Sequence, residues 1–377
     1  MRDNKKILLF ISSLVSGGAQ RQMVLLANEL SRAGNEIALL VYHSNNQLAY
    51  QLDKRVEVIE IVKQHKVDLK FIYHLWRFLK QYKPQVLISY LFIPNMYARL
   101  IGRLAGVPRI ITSERNVDLG HSRSRVFLER LLSRFGHAVV VNANTIKATY
   151  GKELRMFSPI IHVIYNAVDL DYFKKTEVVI NDVCPDIVDE EVVILLPARV
   201  EAQKNHRCLI EAINSLPASY LRYLKVVFAG NIFDQVLYES LMKLIDDYQL
   251  TNNFKFIGPK KNMPELYSAV DIVVLPSLWE GFPNVVVEAM ACESLVVASD
   301  VSDVPAIISD GKDGYIFPSD NVEILMEKLR YCLDMKKTDR DFIGSASRER
   351  VAELCSMQRF RADYLALIDA NTMRGTN

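Results

Sequence analysis

Several features are missing from this chain, and each absence removes a class of protein. No apolar run approaches the roughly 20 residues that cross a bilayer as a helix. The opening MRDNKKILLFISS places basic residues before an apolar run, but the run is short and passes into a glycine-rich turn with no small-residue cleavage site. It reads as a first strand rather than a leader, and a cytoplasmic chain is expected. Cysteine is scarce. Cys184, Cys208, Cys292, Cys332 and Cys355 are odd in number and widely spaced, with no CxxC pair. That pattern excludes a disulfide framework and a zinc site, and leaves buried or incidental thiols. HExxH and His/Asp clusters are also missing, so no metal is expected. No GxGxxG follows the first strand, and the second candidate strand ends Val41-Tyr42-His43 rather than on an acid. An NAD-dependent oxidoreductase therefore loses most of its support. The arginines lack interleaved base-stacking aromatics, which argues against nucleic acid as a partner.

What remains is an ordinary soluble composition, half hydrophobic and 24% charged, in 377 residues. That length suits two domains. Only TMRGTN at the end reads as a frayed tail. The net charge of +2 conceals a split. Residues 1–170 carry 24 Lys and Arg against 12 Asp and Glu, a net +12, while residues 171–377 carry 22 against 32, a net −10. Opposite signs in the two halves argue for two bodies with different partners. Much of the excess lies between Arg99 and Arg134, where eight arginines face only Glu114, Asp118 and Glu129. Such a stretch suits an anionic membrane surface or an anionic acceptor, and a plain solvated face fits it equally.

The first half alternates β-rich runs with helical spacing. KILLFIS, EIALLVY, VEVIEIV, PQVLISYL, RIITS, HAVVVNA and HVIYNA are strand candidates, separated mostly by helical stretches near 69–81, 95–105, 125–134 and 144–152. Continuous apolar strands alternating with helices predict parallel sheets covered on both faces. The mixed, acidic stretch 171–191 interrupts the pattern and is the expected link. The alternation then restarts with VVILLPA, KVVFAG, FKFIG, DIVVLP, SLVVAS and YIF, with helices over 205–215, 234–248, 264–270 and 284–291 between them, and the chain is helical from about 321. The prediction is α/β, with two Rossmann-like domains over 1–170 and 171–356.

In open parallel sheets, ligands gather beyond the carboxyl ends of strands, so the turns after strands carry the chemistry. Gly17 and Gly18 follow the first strand and precede a helix, whose free amides and positive dipole end suit an anion; a purely structural turn would look the same. Arg199 and Lys204 lie between a strand and a helix, where a planar fork and a point charge together suit a diphosphate, although a solvated loop tolerates both. In EGFPNVVVE, Glu280 falls in a loop and Glu288 in the second turn of a helix, with Pro283 before that helix and Asn284 as its candidate N-cap. The amides at Phe282, Pro283, Asn284 and Val285 would face a ligand entering from the loop, with Gly258 in the turn after FKFI as a further donor-side candidate. Ribose hydroxyls would satisfy a carboxylate at Glu288 held among apolar neighbours. The alternative is a surface Glu280 and a structurally paired Glu288.

Taken together, SGGAQ, VIYNAVDLDYF, PARVEAQKNHRCLIEA, FIGPKKNMPELYSAVDIVVLPSLWEGFPNVVVEAM and DGYIFP, in that order, resemble a family 4 glycosyltransferase of the retaining GT-B type over nearly the whole chain. The spacings Arg199-x4-Lys204 and Glu280-x7-Glu288 are its most specific marks. The resemblance implies two facing Rossmann-like domains across a cleft, with a final helix from about 357 packing back on the first. It implies that the second domain holds a nucleotide sugar, most often UDP-linked, with Arg199 and Lys204 on the diphosphate, Glu288 on the ribose and Glu280 on the sugar. It also implies that Gly17 and Gly18 close over the phosphates, that no metal is needed, and that the first domain takes a glycan acceptor, lipid-linked or soluble. Three positions depart from the family pattern. Ala198 and Asn205 stand where glycine is common. No histidine lies at the ends of the middle strands, where Tyr90, Glu114, Arg115 and Asn116 stand as acceptor-side candidates with His121 nearby.

Overall fold

Alternate residues of a strand point to opposite faces, and in this protein both faces are buried. In β1 (Lys6–Phe10), Ile7 and Leu9 join one core while Leu8 and Phe10 join another. This is why the strands read as unbroken apolar runs rather than as alternations. The computed structural model describes residues 4–370 apart from 16, 66, 116–122, 155–159, 186 and 189–190, with backbone alone at 123–125, 152–154 and 160. The chain divides into two compact units, Met1–Ala167 with Met357–Asn377, and Val168–Ser356. Among the described residues no helix is long and apolar enough to cross a membrane.

The first unit holds a seven-stranded parallel sheet. Its strands are β1, β2 (Glu36–Val41), β3 (Glu57–Glu60), β4 (Val86–Tyr90), β5 (Arg109–Glu114), β6 (Ala138–Val141) and β7 (Ile160–Val163), in spatial order β3-β2-β1-β4-β5-β6-β7. The helix Gly18–Arg32 and the last helix, Met357–Asp369, cover one face through Met23, Leu26, Leu30, Phe360, Tyr364 and Leu367. The helix Leu69–Tyr82 covers the other through Phe71, Leu75 and Leu79, beside Ala98 and Ile101 of the helical stretch that starts at Phe92. Asp68 caps the helix at Leu69 by accepting from the Phe71 amide at 3.0 Å.

The second unit holds β8 (Val192–Leu196), β9 (Leu224–Phe228), β10 (Phe254–Phe256), β11 (Ile272–Leu275), β12 (Leu295–Ser299) and β13 (Tyr315–Phe317) in the parallel order β10-β9-β8-β11-β12-β13. The helix Asn284–Ala291 follows the bounds expected from sequence, but Asn284 is its first residue and Pro283 occupies the cap position, so Asn284 is not the N-cap. All five cysteines are free and buried. Burial, reinforced by the nearby Glu288 carboxylate, pushes the Cys292 thiol up to about 12, which leaves it inert.

The arginine-rich stretch is not one solvated face. Arg99 sits in a π turn (Ala98–Gly102) that points it inward to Thr112 Oγ1 at 2.7 Å, and Arg115 is also buried. Arg115 forms the centre of a clasp on the last helix. Its guanidinium stacks 4.1 Å over the Tyr90 ring, donates to Tyr364 Oη at 2.9 Å, and donates to Asn166 Oδ1. The Tyr90 and Tyr364 hydroxyls meet at 2.7 Å. Ion pairs Arg361–Glu29 (3.1 Å) and Lys5–Asp369 (2.7 Å) pin the same helix. Tyr364→Phe strands the Tyr90 hydroxyl and one Arg115 donor in the interior, at a cost of about 1–3 kcal/mol. The expected result is a thermal unfolding midpoint lower by several degrees; an unchanged midpoint would show that the clasp contributes nothing.

Candidate active site

In each sheet the strand order reverses once, between β1 and β4 in the first unit and between β8 and β11 in the second. At such a switch point the flanking connections run to opposite sides and leave a crevice beyond the strand ends. The loop leaving β8 carries Arg199 and Lys204, and the loop leaving β11 carries Glu280. Strand order alone brings together residues more than seventy positions apart.

The two loops are zipped to each other. The Leu278 amide donates to the Gln203 carbonyl (2.9 Å), and Gln203 Nε2 donates to the Trp279 carbonyl (2.7 Å). Inside this zipper Lys204 Nζ donates to Glu280 Oε1 at 2.6 Å, with the two side chains only 14% and 8% exposed. Ser277 Oγ donates to the same oxygen at 2.7 Å, whereas Glu280 Oε2 receives a long 3.4 Å contact from Gln203. Glu280 is therefore a buried, charge-balanced residue rather than a surface one, with one oxygen fully engaged and the other lightly held. Lys204 is already paired, and so is Arg199: 53% exposed, it bonds Glu201 at 2.9 Å and lies 5.3 Å over the Phe233 ring.

Local backbone demands explain one of the sequence departures. Asn205 has φ 49° and ψ 47°, a left-handed conformation that glycine adopts freely and that asparagine tolerates best among side chains. Its amide also donates to Asp320 Oδ1 at 2.9 Å. Ala198 packs against Gly230, where an added Cβ would come within 2.1 Å of the Ala198 carbonyl oxygen and 2.9 Å of the Arg199 nitrogen. Gly230 thus sets the seat of the Arg199 loop. It ends the run KVVFAG, a strand-terminal glycine that sequence reasoning passed over.

The amides at 282–285 do not all converge. Pro283 has no N–H, and the Asn284 amide turns back to the Phe282 carbonyl at 2.9 Å. Val286 and Val287 both donate to the Pro283 carbonyl, at 3.0 and 3.3 Å. The Val285 amide is the first-turn donor with no acceptor among the described residues. Phe282 is buried. Glu288 lies in the second turn, half-buried, and accepts from the Tyr267 hydroxyl at 3.3 Å. Gly258 has φ 65° and open space around its α-carbon. Gln203, Ser277, Tyr267 and Gly230 are site-building residues that no sequence signal singled out.

In the first unit Gly17 is the extended N-cap and Gly18 the first residue of the helix that follows β1. Tyr90 and Glu114 end β4 and β5. Tyr90 and Arg115, two of the acceptor-side candidates, are buried and hydrogen-bonded in the clasp with Tyr364. Glu114 is buried and accepts from Asn95 Nδ2 at 2.6 Å. Asn116 and His121 lie outside the described residues. Among the described residues no group of three or more His, Cys, Asp and Glu side chains is placed to hold a metal.

The same two units appear in the comparisons with known proteins. Residues 16–172 match the family described as Glycosyltransferase Family 4, and residues 184–349 match Glycosyl transferases group 1. The chain belongs to glycosyltransferase family 4. Among relatives, it is 24% identical to a Campylobacter jejuni GalNAc-alpha-(1->4)-GalNAc-alpha-(1->3)-diNAcBac-PP-undecaprenol alpha-1,4-N-acetyl-D-galactosaminyltransferase, over 96% of this chain and 98% of the relative. It is 23% identical to an Escherichia coli UDP-Gal:alpha-D-GlcNAc-diphosphoundecaprenol alpha-1,3-galactosyltransferase, over 71% of each. Among solved structures, a Rickettsia africae glycosyltransferase aligns with TM-score 0.86 at 21% identity, over 97% of this chain and 98% of that one. Anabaena HepE in complex with UDP aligns with TM-score 0.85 at 17% identity, over 97% and 100%. The family 4 enzyme therefore has the GT-B fold.

Beside the Lys204–Glu280 pair lies His206, buried against Phe228 with neither ring nitrogen hydrogen-bonded among the described residues. Burial, aided by the Lys204 charge, lowers its pKa to about 4. The unfolded chain takes up this proton near pH 6.5 and the folded chain only near 4. Stability is therefore intact above pH 6.5 and is lost as pH falls to 4, by on the order of 3 kcal/mol. Denaturation midpoints measured across that window should fall less steeply for His206→Leu than for wild type; parallel curves would refute the assignment. Gly230→Ala should separately lower the unfolding midpoint through overpacking of about 1–3 kcal/mol, read by thermal melting, and an unaltered midpoint would show that the Ala198 peptide yields freely.

Proposed function

We propose that this glycosyltransferase moves a hexose or N-acetylhexosamine, with retention of anomeric configuration, from a UDP-sugar to a lipid-linked glycan during assembly of a surface polysaccharide. The observation that carries the reading is the buried Lys204–Glu280 pair at the β8/β11 switch point, with Arg199 on the same loop as Lys204. A diphosphate arriving here meets a guanidinium fork, an ammonium and the Val285 amide. In this reading those groups supply the positive charge and a metal is not called on. Preorganised charge on the leaving diphosphate favours rupture of the sugar–oxygen bond. Lys204 exchanges part of its contact with Glu280 for phosphate oxygen, and Glu280 Oε2, the lightly held oxygen, accepts a sugar hydroxyl. Glu288, in the second turn of the helix Asn284–Ala291, accepts from the ribose. Glu280 thus positions the sugar and stabilises developing positive charge, and the departing phosphate takes the proton of the attacking hydroxyl.

The names of the Campylobacter and Escherichia relatives, both with undecaprenol-linked substrates, support the acceptor class. The HepE complex supports UDP as the nucleotide. A soluble sugar or sugar-phosphate acceptor is the competing reading. Transfer should be assayed with a panel of UDP-sugars against lipid-diphosphate glycans and matched soluble glycans. Arg199→Ala, Lys204→Ala and Glu280→Gln should each lower kcat/KM by ~10²–10³. Undiminished transfer in all three would dismiss the site, and equal use of the soluble acceptors would dismiss the lipid.

A further inference from the structure

The helix Leu69–Tyr82 is amphipathic twice over. Its inner face is the Phe71, Leu75, Leu79 stripe already described. On the opposite side Leu69, Tyr73, Trp76 and Lys80 recur at i, i+4, i+7 and i+11, which places them on one outward line. Leu69 is 75% exposed, Tyr73 54% and Trp76 38%. The Tyr73 and Trp76 rings lie 6.3 Å apart, tilted by 33°. Lys70 and Arg77 flank this line and are also exposed. The neighbouring helical stretch, which packs beside this helix, turns Leu104 outward at 62% exposure, next to exposed Arg103.

Along this stretch of chain the charge has a single sign, the nearest acids of other elements, Glu36 and Glu57, acting on Tyr82 at the end of the helix. No aspartate or glutamate occurs between Asp68 and Glu114, and Asp68 is buried as the helix cap. A protein partner would leave such a surface with mixed demands. Exposed Trp and Tyr beside Lys and Arg, on a helix with no acid of its own past the cap, is instead the chemistry of a lipid headgroup layer. Aromatic rings sit at the boundary of headgroup and chain, and cations meet phosphate.

We propose that this outward face, led by Tyr73 and Trp76 and flanked by Lys70, Arg77 and Lys80, docks the enzyme on an anionic lipid bilayer. The inference rests on the lipid-linked acceptor reading and deepens it, because an acceptor anchored in a bilayer requires the enzyme to work at that surface. It also moves the membrane contact away from the Arg99–Arg134 stretch, where Arg99 and Arg115 are buried.

The test uses the full chain with vesicles of phosphatidylcholine alone or mixed with phosphatidylglycerol, and no nucleotide or acceptor. Wild type should cosediment with the mixed vesicles at low salt and release as salt rises. In a Trp279→Phe background, Trp76 emission should shift to the blue on binding. Tyr73→Ser with Trp76→Ser, and separately Lys70→Glu with Arg77→Glu and Lys80→Glu, should each weaken binding more than about tenfold, with circular dichroism melts matching wild type. Absence of vesicle binding overturns the proposal, and so does equal binding by wild type and both variant sets. Wild-type self-association without lipid that the same variants abolish would assign the face to a second copy and overturn it too. Binding and transfer are measured separately, so a failed lipid-linked substrate does not alter the vesicle result.

Discussion

A parallel sheet buried on both faces leaves a chain few places for charge. Strand interiors must be apolar, and covering helices must present apolar stripes inward, so polar chemistry is driven to the ends of strands. Where the strand order reverses, two successive loops part to opposite sides and their side chains share one crevice. Both units of this enzyme obey that constraint. In the second unit it joins the loop after β8 to the loop after β11 and creates the Lys204–Glu280 pair.

Burying an ion pair is expensive unless geometry and supporting hydrogen bonds are good. Here Ser277 and Gln203 provide the support, and Gly230 lets the Ala198–Arg199 peptide approach closely enough to hold the loop. The pair keeps two opposite charges ready in a poorly hydrated place without leaving either unmatched. On the function proposed above, a dianionic ligand would compete for the lysine rather than fill an empty cationic hole. On the same proposal, that competition would couple diphosphate binding to the freedom of the Glu280 carboxylate.

Much of this was legible from the amino-acid order. Alternating strand and helix patterns persist because the central strands are buried on both faces and the covering helices bury one apolar stripe each, and the helix at 284–291 was readable to its bounds from Pro283 and the valines. Residues whose partners are distant in sequence were harder to read. Asn284 resembled an N-cap, yet the proline before it holds that position. Tyr90 and Arg115 stood as acceptor-side candidates, and their bond to Tyr364, some 250 positions later, had no sign in the sequence. Arg99 belonged on paper to a cationic face, and a single π turn rotates it into the interior. Glu280 was recognised as important, but its lysine partner became visible only once two strands were known to be neighbours.

The last helix completes the first unit, with the whole second unit intervening along the chain. During synthesis the ribosome must therefore produce β8 to β13 before Tyr364 can reach Tyr90 and Arg115. Until then the sheet that began at β1 has one flank only partly covered, by the helix Gly18–Arg32, and Arg115 awaits its hydroxyl. The half made first matures last, and any pause in translation beyond the second unit prolongs its exposure to chaperones and proteases.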